Sequence, residues 1–259
     1  MRLQQRKALI TGTATGIGRE IAKTFASEGA HVVCVDWNER ANQETASLIR
    51  SAGGSCEALK ADVSAAVDVT RIFNAAGPID VLVNNAASAE GDAPAMELSE
   101  ENWDRVLSIC LKSVFLCTRE ALKSMVPRGR GSIVNLSSVN AIMGINLTAY
   151  TAAKGGILSL TRLIAAHYGS FGIRANAISP GTIMTEASVD FYDKHPDIAD
   201  QLRRLYVAEK FGRVEDVAAC AVFLASDDSA FINGISLPVD GGLTAAYRIP
   251  VLIPQKTQS

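Results

Sequence analysis

No Cys-x-x-Cys pair occurs in the sequence, and the five cysteines, Cys34, Cys56, Cys110, Cys117 and Cys220, are odd in number, widely spaced and set mostly in apolar surroundings. That argues against zinc or dithiol chemistry and for buried, reduced thiols. His31, His167 and His195 neither cluster nor fall at a ligand spacing, so no metal is expected. The longest apolar run, about "VAACAVFLA", is too short to span a bilayer, and "MRLQQRKALITG" lacks a signal-peptide hydrophobic stretch, so a cytoplasmic chain is expected. Neither charge sign dominates: 25 Lys and Arg against 27 Asp and Glu leave a formal charge of -2. Nothing electrostatic therefore draws it to nucleic acid or an anionic membrane, and small molecules are the expected partners.

What is present is ample core material, with 48% hydrophobic residues in a chain of 259. The expectation is one dinucleotide-binding and catalytic domain over 1–259, with 243–259 as a C-terminal extension. Short runs rich in Val, Ile and Leu recur at "KALIT", "HVVCVD", "IDVLVN", "GSIVNL" and "IRANAIS", with longer helical patterns between them. Strands buried on both faces of a parallel sheet read this way, which predicts an α/β fold, a doubly wound Rossmann-like sheet with helices on both faces. Two connections are long, "SAEGDAPAMELSE" and "PGTIMTEASVDFYDKHPD". In an open α/β sheet such loops gather where ligands bind. The second, with Phe191, Tyr192 and His195, reads as a lid or as an ordinary surface excursion, and only His195 among the histidines is a candidate to meet a substrate.

"ALITGTATGIGREIA" puts Gly12 at a strand end and Thr15, Gly16, Ile17 and Gly18 at a helix start. Backbone N–H groups and the helix dipole can there face a pyrophosphate. Asp36 closes the next strand 18 residues beyond Gly18, where a carboxylate accepts from adenosine ribose hydroxyls and repels a 2'-phosphate. With Arg40 the nearest following base, NAD is favoured over NADP, and Trp37 is placed beside the adenine.

With this turn, "NNA" after a strand, and Tyr150-x-x-x-Lys154 after Ser137-Ser138, the chain resembles the single-domain branch of the short-chain dehydrogenase/reductase family over roughly residues 5–243. The resemblance implies that Gly12, Thr15, Gly16, Ile17 and Gly18 hold the pyrophosphate and that Asp62 and Val63 meet the adenine. It sets Asn85, Ala86 and Ala87, after Asn84, beside the cofactor ribose. Pro180, Gly181, Ile183 and Thr185 would hold the nicotinamide carboxamide, and "VDGG" would form the last strand turn. The chain departs from the pattern in having Ala87 for a usual glycine, a shorter helix between Asp62 and Asn84, Cys110 where an asparagine is usual, and a long tail.

Hydride transfer at a carbinol needs a proton to leave the oxygen in step, which is general acid/base work. A free phenol is a poor base near neutral pH, and a nearby cation favours the phenolate. Lys154 lies four residues from Tyr150 on the same helix face and would also bind the nicotinamide ribose. A serine hydroxyl should steady the substrate oxygen. Counting favours Ser137, 13 residues before Tyr150; the family-like "Ser-Val-x-x-x-Met-Gly" that follows favours Ser138, 12 before, and Ser138 is chosen. A thiol at Cys110 cannot copy the asparagine that kinks a helix and supports a proton relay, which leaves a water-supported relay, a slower enzyme or a binding protein.

Substrate-side positions are expected in 88–92, 140–147 and 183–206, with Asn140, Asn146, Met184 and Tyr192 joining Ser138 and Tyr150. Their mixed polarity favours a small polyol, sugar or hydroxy acid. The expected activity is an NAD-dependent alcohol dehydrogenase; a non-catalytic NAD-binding protein and an NAD(P)H-dependent 3-oxoacyl reductase-like enzyme are the alternatives. Long helices over 99–125 and 148–169 carry surplus apolar positions, and relatives pair these helices, so a homotetramer is expected. The apolar "IPVLIP" of the tail either crosses to another subunit or stays with its own.

Overall fold

The five apolar runs become strands of one parallel sheet, and two less obvious segments complete it. The computed structural model describes residues 1–245. In chain order the main strands are β1 (Lys7–Thr11), β2 (His31–Asp36), β3 (Ser55–Lys60), β4 (Val81–Asn84), β5 (Gly131–Leu136) and β6 (Ile173–Pro180). Two short strands, β7 (Ile183–Met184) and β8 (Gly212–Arg213), pair apart from them, and β9 (Ser236–Val239) returns to the main sheet. Its order is β3-β2-β1-β4-β5-β6-β9, parallel throughout. From β1 the chain winds outward through β2 to β3, then crosses back to lay β4 on the other side of β1. That reversal leaves a crevice above the carboxyl ends of β1 and β4, where ligands of such sheets bind.

The helices α1 (Gly16–Ser27), α2 (Glu39–Ser51), α3 (Ala66–Ala76), α4 (Glu100–Leu107), α5 (Ser113–Arg128), α6 (Thr148–Tyr168), α7 (Glu186–Lys194), α8 (Pro196–Arg203) and α9 (Val214–Ala225) connect the strands. Phe25 and Ile21 of α1 and Val217 and Val222 of α9 bury one sheet face with Ile10, Val32 and Val134. The opposite face packs Leu9, Val33, Leu82 and Ile133 against Ile72 of α3, Met125 of α5 and Ile164 of α6. Each such fully buried aliphatic side chain contributes roughly 1.5–3 kcal/mol. The final strand carries Pro238, which an edge position tolerates because no neighbour needs its missing N–H.

The helix expected over 99–125 is not continuous. A π-turn, Ser108–Lys112, joins α4 to α5, with Cys110 buried at its centre, and α5 runs on to Arg128. A π-turn therefore occupies the place where the family pattern assigns a kink to asparagine, with cysteine at its centre. Ala87 also departs without strain, since it is not among the residues with positive φ. Of the expected tail, 246–259 and its "IPVLIP" lie outside the described residues. Among the described residues no helix is long and apolar enough to cross a membrane.

All five thiols are unpaired. Burial pushes Cys34 and Cys117 up to about 12 and Cys220 to about 11, and also raises Cys110. A raised value keeps the thiol protonated at pH ~8, and the thiolate is the nucleophile. Iodoacetamide at that pH should leave Cys34, Cys110 and Cys117 unmodified in the folded protein and label them once guanidinium unfolds it, as read by mass spectrometry of peptides; rapid native labelling would contradict the packing.

Candidate active site

The glycine turn owes its shape to close approach. A Cβ on Gly18 would collide with the Gly12 carbonyl oxygen and the Asn85 side-chain amide, so α1 starts directly over the end of β1 only because residue 18 has no side chain. Gly12 has φ of 74°, a left-handed geometry that glycine adopts without penalty. The Asn85 Nδ2 donates to the carbonyls of both Thr11 and Gly12, each at 3.0 Å, clasping the turn to the end of β4. At the helix start the Thr15 side chain caps no amide, and the first turn carries no acidic residue. Helix-start amides that their own segment leaves uncapped are an anion site, and here the Gly16 N–H is met by a carboxylate from a distant segment, that of Glu186.

Over the turn opens a cleft of about 930 Å³, lined by Gly12, Thr15, Gly16, Ile17 and Gly18. Asp36, Trp37, Asp62 and Val63 line its far side, and Asn85, Ala86 and Ala87 line the β4 end. Thirteen of the expected cofactor positions therefore converge once Thr185, on the α7 side, is included. Asp36 is buried, with Oδ2 accepting from Ala14 N–H at 2.9 Å and Oδ1 from Asn38 N–H at 2.9 Å. These bonds fix the carboxylate beside the turn; the cap of α2 is Asn38, which accepts from Ala41 N–H, and not Asp36. Trp37 is 75% exposed on the cleft wall, open to a planar partner.

A second group gathers at the end of β5. Lys154 is 2% exposed, and its Nζ donates to Leu136 O at 2.6 Å. Ser137 Oγ donates to Lys154 O at 2.9 Å, so two bonds staple α6 to this strand end. Just beyond β5 the two serines take different partners: Ser137 is engaged with the helix backbone, while Ser138 Oγ donates to Asn140 Oδ1 at 3.2 Å in the loop. The Tyr150 ring lies with its centroid 5.2 Å from Lys154 Nζ. Below it Ala149 and Ala153 pack with Val106 and Cys110, small residues that let α4 and α6 approach closely. The Cys110 thiol donates to Ser88 O at 3.2 Å, which ties the π-turn to a residue on the cleft wall.

The lid candidate forms two helices, α7 and α8. Thr185 caps α7 in a reciprocal box with Ser188, and its Cγ2 faces Gly16. Gly181 lies against Tyr206, whose hydroxyl accepts from Thr182 N–H at 2.7 Å. Pro180, Gly181 and Ile183 do not line the cleft itself. Tyr192 packs between Phe191 and Phe211, and the His195 ring lies 4.7 Å from that of Phe191. Asn140 Nδ2 donates to Asn146 O at 3.0 Å, while Asn146 is exposed and Met184 half-buried. Glu186, which the sequence placed only among substrate-side residues, reaches the glycine turn: Oε2 accepts from Gly16 N–H at 3.0 Å and Oε1 pairs with Arg19 at 3.4 Å. Arg19 was not anticipated at all. A contact across 170 residues leaves no local sequence signal.

The chain is similar to known proteins over most of its length. A family model described as enoyl-(acyl carrier protein) reductase matches residues 12–244. The chain is 40% identical to an uncharacterized oxidoreductase of Schizosaccharomyces pombe over 95% of this chain and 93% of the relative. It is 38% identical to the D-threitol dehydrogenase of Mycolicibacterium smegmatis over 94% of each chain. A crystal structure from Agrobacterium tumefaciens, described as a candidate 2-deoxy-D-gluconate 3-dehydrogenase with bound NADP, matches with a TM-score of 0.88 at 37% identity, covering 94% of this chain and 98% of that one. From matched sequence, sheet order and glycine cleft together, this oxidoreductase belongs to the short-chain dehydrogenase/reductase family.

Proposed function

We propose that the protein is an NAD-dependent dehydrogenase of small secondary alcohols, of the polyol, sugar or hydroxy-acid class. The observation that carries this reading is the buried Lys154 ammonium beside the Tyr150 ring at the end of β5, with Cys110, packed against that ring, bonded to Ser88 on the wall of the glycine-floored cleft. The cleft fits an anionic dinucleotide, since Gly18 leaves no room for a side chain and Gly16 N–H already holds a carboxylate, that of Glu186. A bound dinucleotide supplies the hydride acceptor. Gly12 through Gly18 would hold its pyrophosphate and Asp36 its adenosine ribose, with Thr185 toward the nicotinamide amide.

In this reading Tyr150 takes the carbinol proton, and Lys154, with its Nζ 5.2 Å from the ring centroid, would bind the nicotinamide ribose. Ser138 donates to the substrate oxygen, a role for which its loop-facing hydroxyl is suited while Ser137 is engaged with α6. Asn140 and Asn146 offer amides to further hydroxyls. D-Threitol and gluconate-type names among the relatives support a polyol or sugar acid. Asp36 supports NAD. The observation on the other side is Arg19, a guanidinium held at the turn by Ala14 O, Thr45 Oγ1 and Glu186. The groove between α5 and α6, lined by Phe115, Leu122 and Leu160, supports a homotetramer built through these helices.

The test is oxidation of threitol, gluconate, other sugars and simple secondary alcohols with NAD or NADP, followed by absorbance of the reduced nicotinamide. Turnover faster with NAD is expected, and Tyr150→Phe should lower it roughly 10²- to 10⁴-fold with cofactor binding retained. NADH binding without turnover of any alcohol would instead favour the non-catalytic reading. Because Glu186 holds an amide that the pyrophosphate needs, Glu186→Ala should tighten NADH binding about two- to five-fold by fluorescence titration. Unchanged or weaker binding would show that the contact does not compete.

A further inference from the structure

The helix that carries Tyr150 begins with a residue unable to cap it. Leu147 stands at the N-cap of α6 with φ of 82° and ψ of 91°, outside ordinary cap geometry, and its side chain has no acceptor. A normal cap would accept from the amides two and three residues on, here Ala149 and Tyr150. Both amides are instead taken by one distant carboxylate. Asp92 Oδ1 accepts from Ala149 N–H at 3.1 Å, and Asp92 Oδ2 accepts from Tyr150 N–H at 2.8 Å.

Asp92 belongs to the loop after β4, whose other bonds hold it firmly. Its own Oδ1 also accepts from Ala93 N–H at 2.9 Å, and Thr148 Oγ1 donates to Ala93 O at 2.8 Å. On the opposite side of the loop, Arg105 of α4 binds the carbonyl and carboxylate of Glu90, and Cys110 binds Ser88 O. The loop is thus a bracket between α4 and the first turn of α6, and its Ser88 and Glu90 line the cleft.

We infer that Asp92 is a positioning residue for proton transfer: by holding the Tyr150 backbone amide from the loop on the cleft wall, it fixes where the phenol stands relative to Lys154 and Ser138. The inference rests on the reading of Tyr150 as the proton-transfer residue. A carboxylate is the suitable group, because one oxygen must accept from Ala149 while the other accepts from Tyr150. An asparagine retains only one of these acceptors and turns a donor toward the other amide. A small displacement of a reacting group costs rate far more than binding.

The experiment compares wild type, Asp92→Ala, Asp92→Asn and Tyr150→Phe, using the panel alcohol that the wild-type protein oxidises fastest, with NADH binding and amide hydrogen exchange measured alongside. Asp92→Ala should speed exchange at the amides of Ala149 and Tyr150 and lower kcat roughly 10- to 100-fold with the NADH dissociation constant unchanged. Asp92→Asn should fall between it and wild type in both exchange and kcat. A variant with faster exchange and a lower melting temperature but wild-type kcat would overturn the inference, leaving Asp92 a helix cap alone. If Asp92→Ala does not fold, Asp92→Asn decides the matter by the same criterion. Inactive Tyr150→Phe beside fully active Asp92 variants overturns this inference only, whereas Tyr150→Phe with wild-type kcat overturns the reading beneath it and this inference together.

Discussion

An ammonium that is only 2% exposed has to be given partners, and for Lys154 the first is the carbonyl of Leu136 at the end of β5. Leaving such a charge unpaired in the interior would cost several kcal/mol, by the usual order of magnitude. The bond therefore dictates how close α6 lies to the sheet and at what height along β5. The reciprocal bond from Ser137 to the Lys154 carbonyl sets the rotation of the helix. With height and rotation both set, Tyr150, one turn earlier, is held with its ring centroid 5.2 Å from the Lys154 Nζ. Small residues at Ala149 and Ala153 are what let α4 close in behind.

The two halves of the site are joined by carbonyls and amides more than by side-chain charge. Asn85 spans β1 and β4 at the switch point. Asn84, its neighbour, faces the other way, and its Nδ2 donates to Asn135 Oδ1, whose own amide reaches Thr161 of α6. A run of buried amides thus links the floor of the glycine-lined cleft to the helix that carries the tyrosine. In surroundings of low polarity such bonds are strong when complete and expensive when broken, so they favour one arrangement of the two halves.

Much of this was legible in the sequence because the relevant physics is local. A strand buried on both faces must be continuously apolar, which made β1, β2, β4, β5 and β6 readable; the glycine turn and the Tyr150–Lys154 spacing likewise depend on neighbours a few residues apart. The edge strand β3 was harder, since "SCEALK" is half-exposed along its length and carries no uninterrupted apolar run. Glu186 at Gly16 and Asp92 at Tyr150 were beyond reach, because each joins residues that only the tertiary fold makes neighbours. The choice of Ser138 over Ser137 turned on the motif that follows it, and the sequence carried no signal of what the structure adds, that the Ser137 hydroxyl is bonded to the backbone of α6 while that of Ser138 stays within its own loop.

The π-turn between α4 and α5 has a consequence for how one stretch of helix serves two interiors. Cys110 and Cys117 are seven residues apart, close to two turns at about 3.6 residues per turn, and an uninterrupted α-helix would point them the same way. Instead Cys110 packs with Ala149 and Ala153 beneath Tyr150, while Cys117 packs with the sheet-side cluster that includes Leu82 and Ile133. The wider turn sets the two segments out of phase, so that the part before it packs beneath Tyr150 and the part after it packs on the sheet.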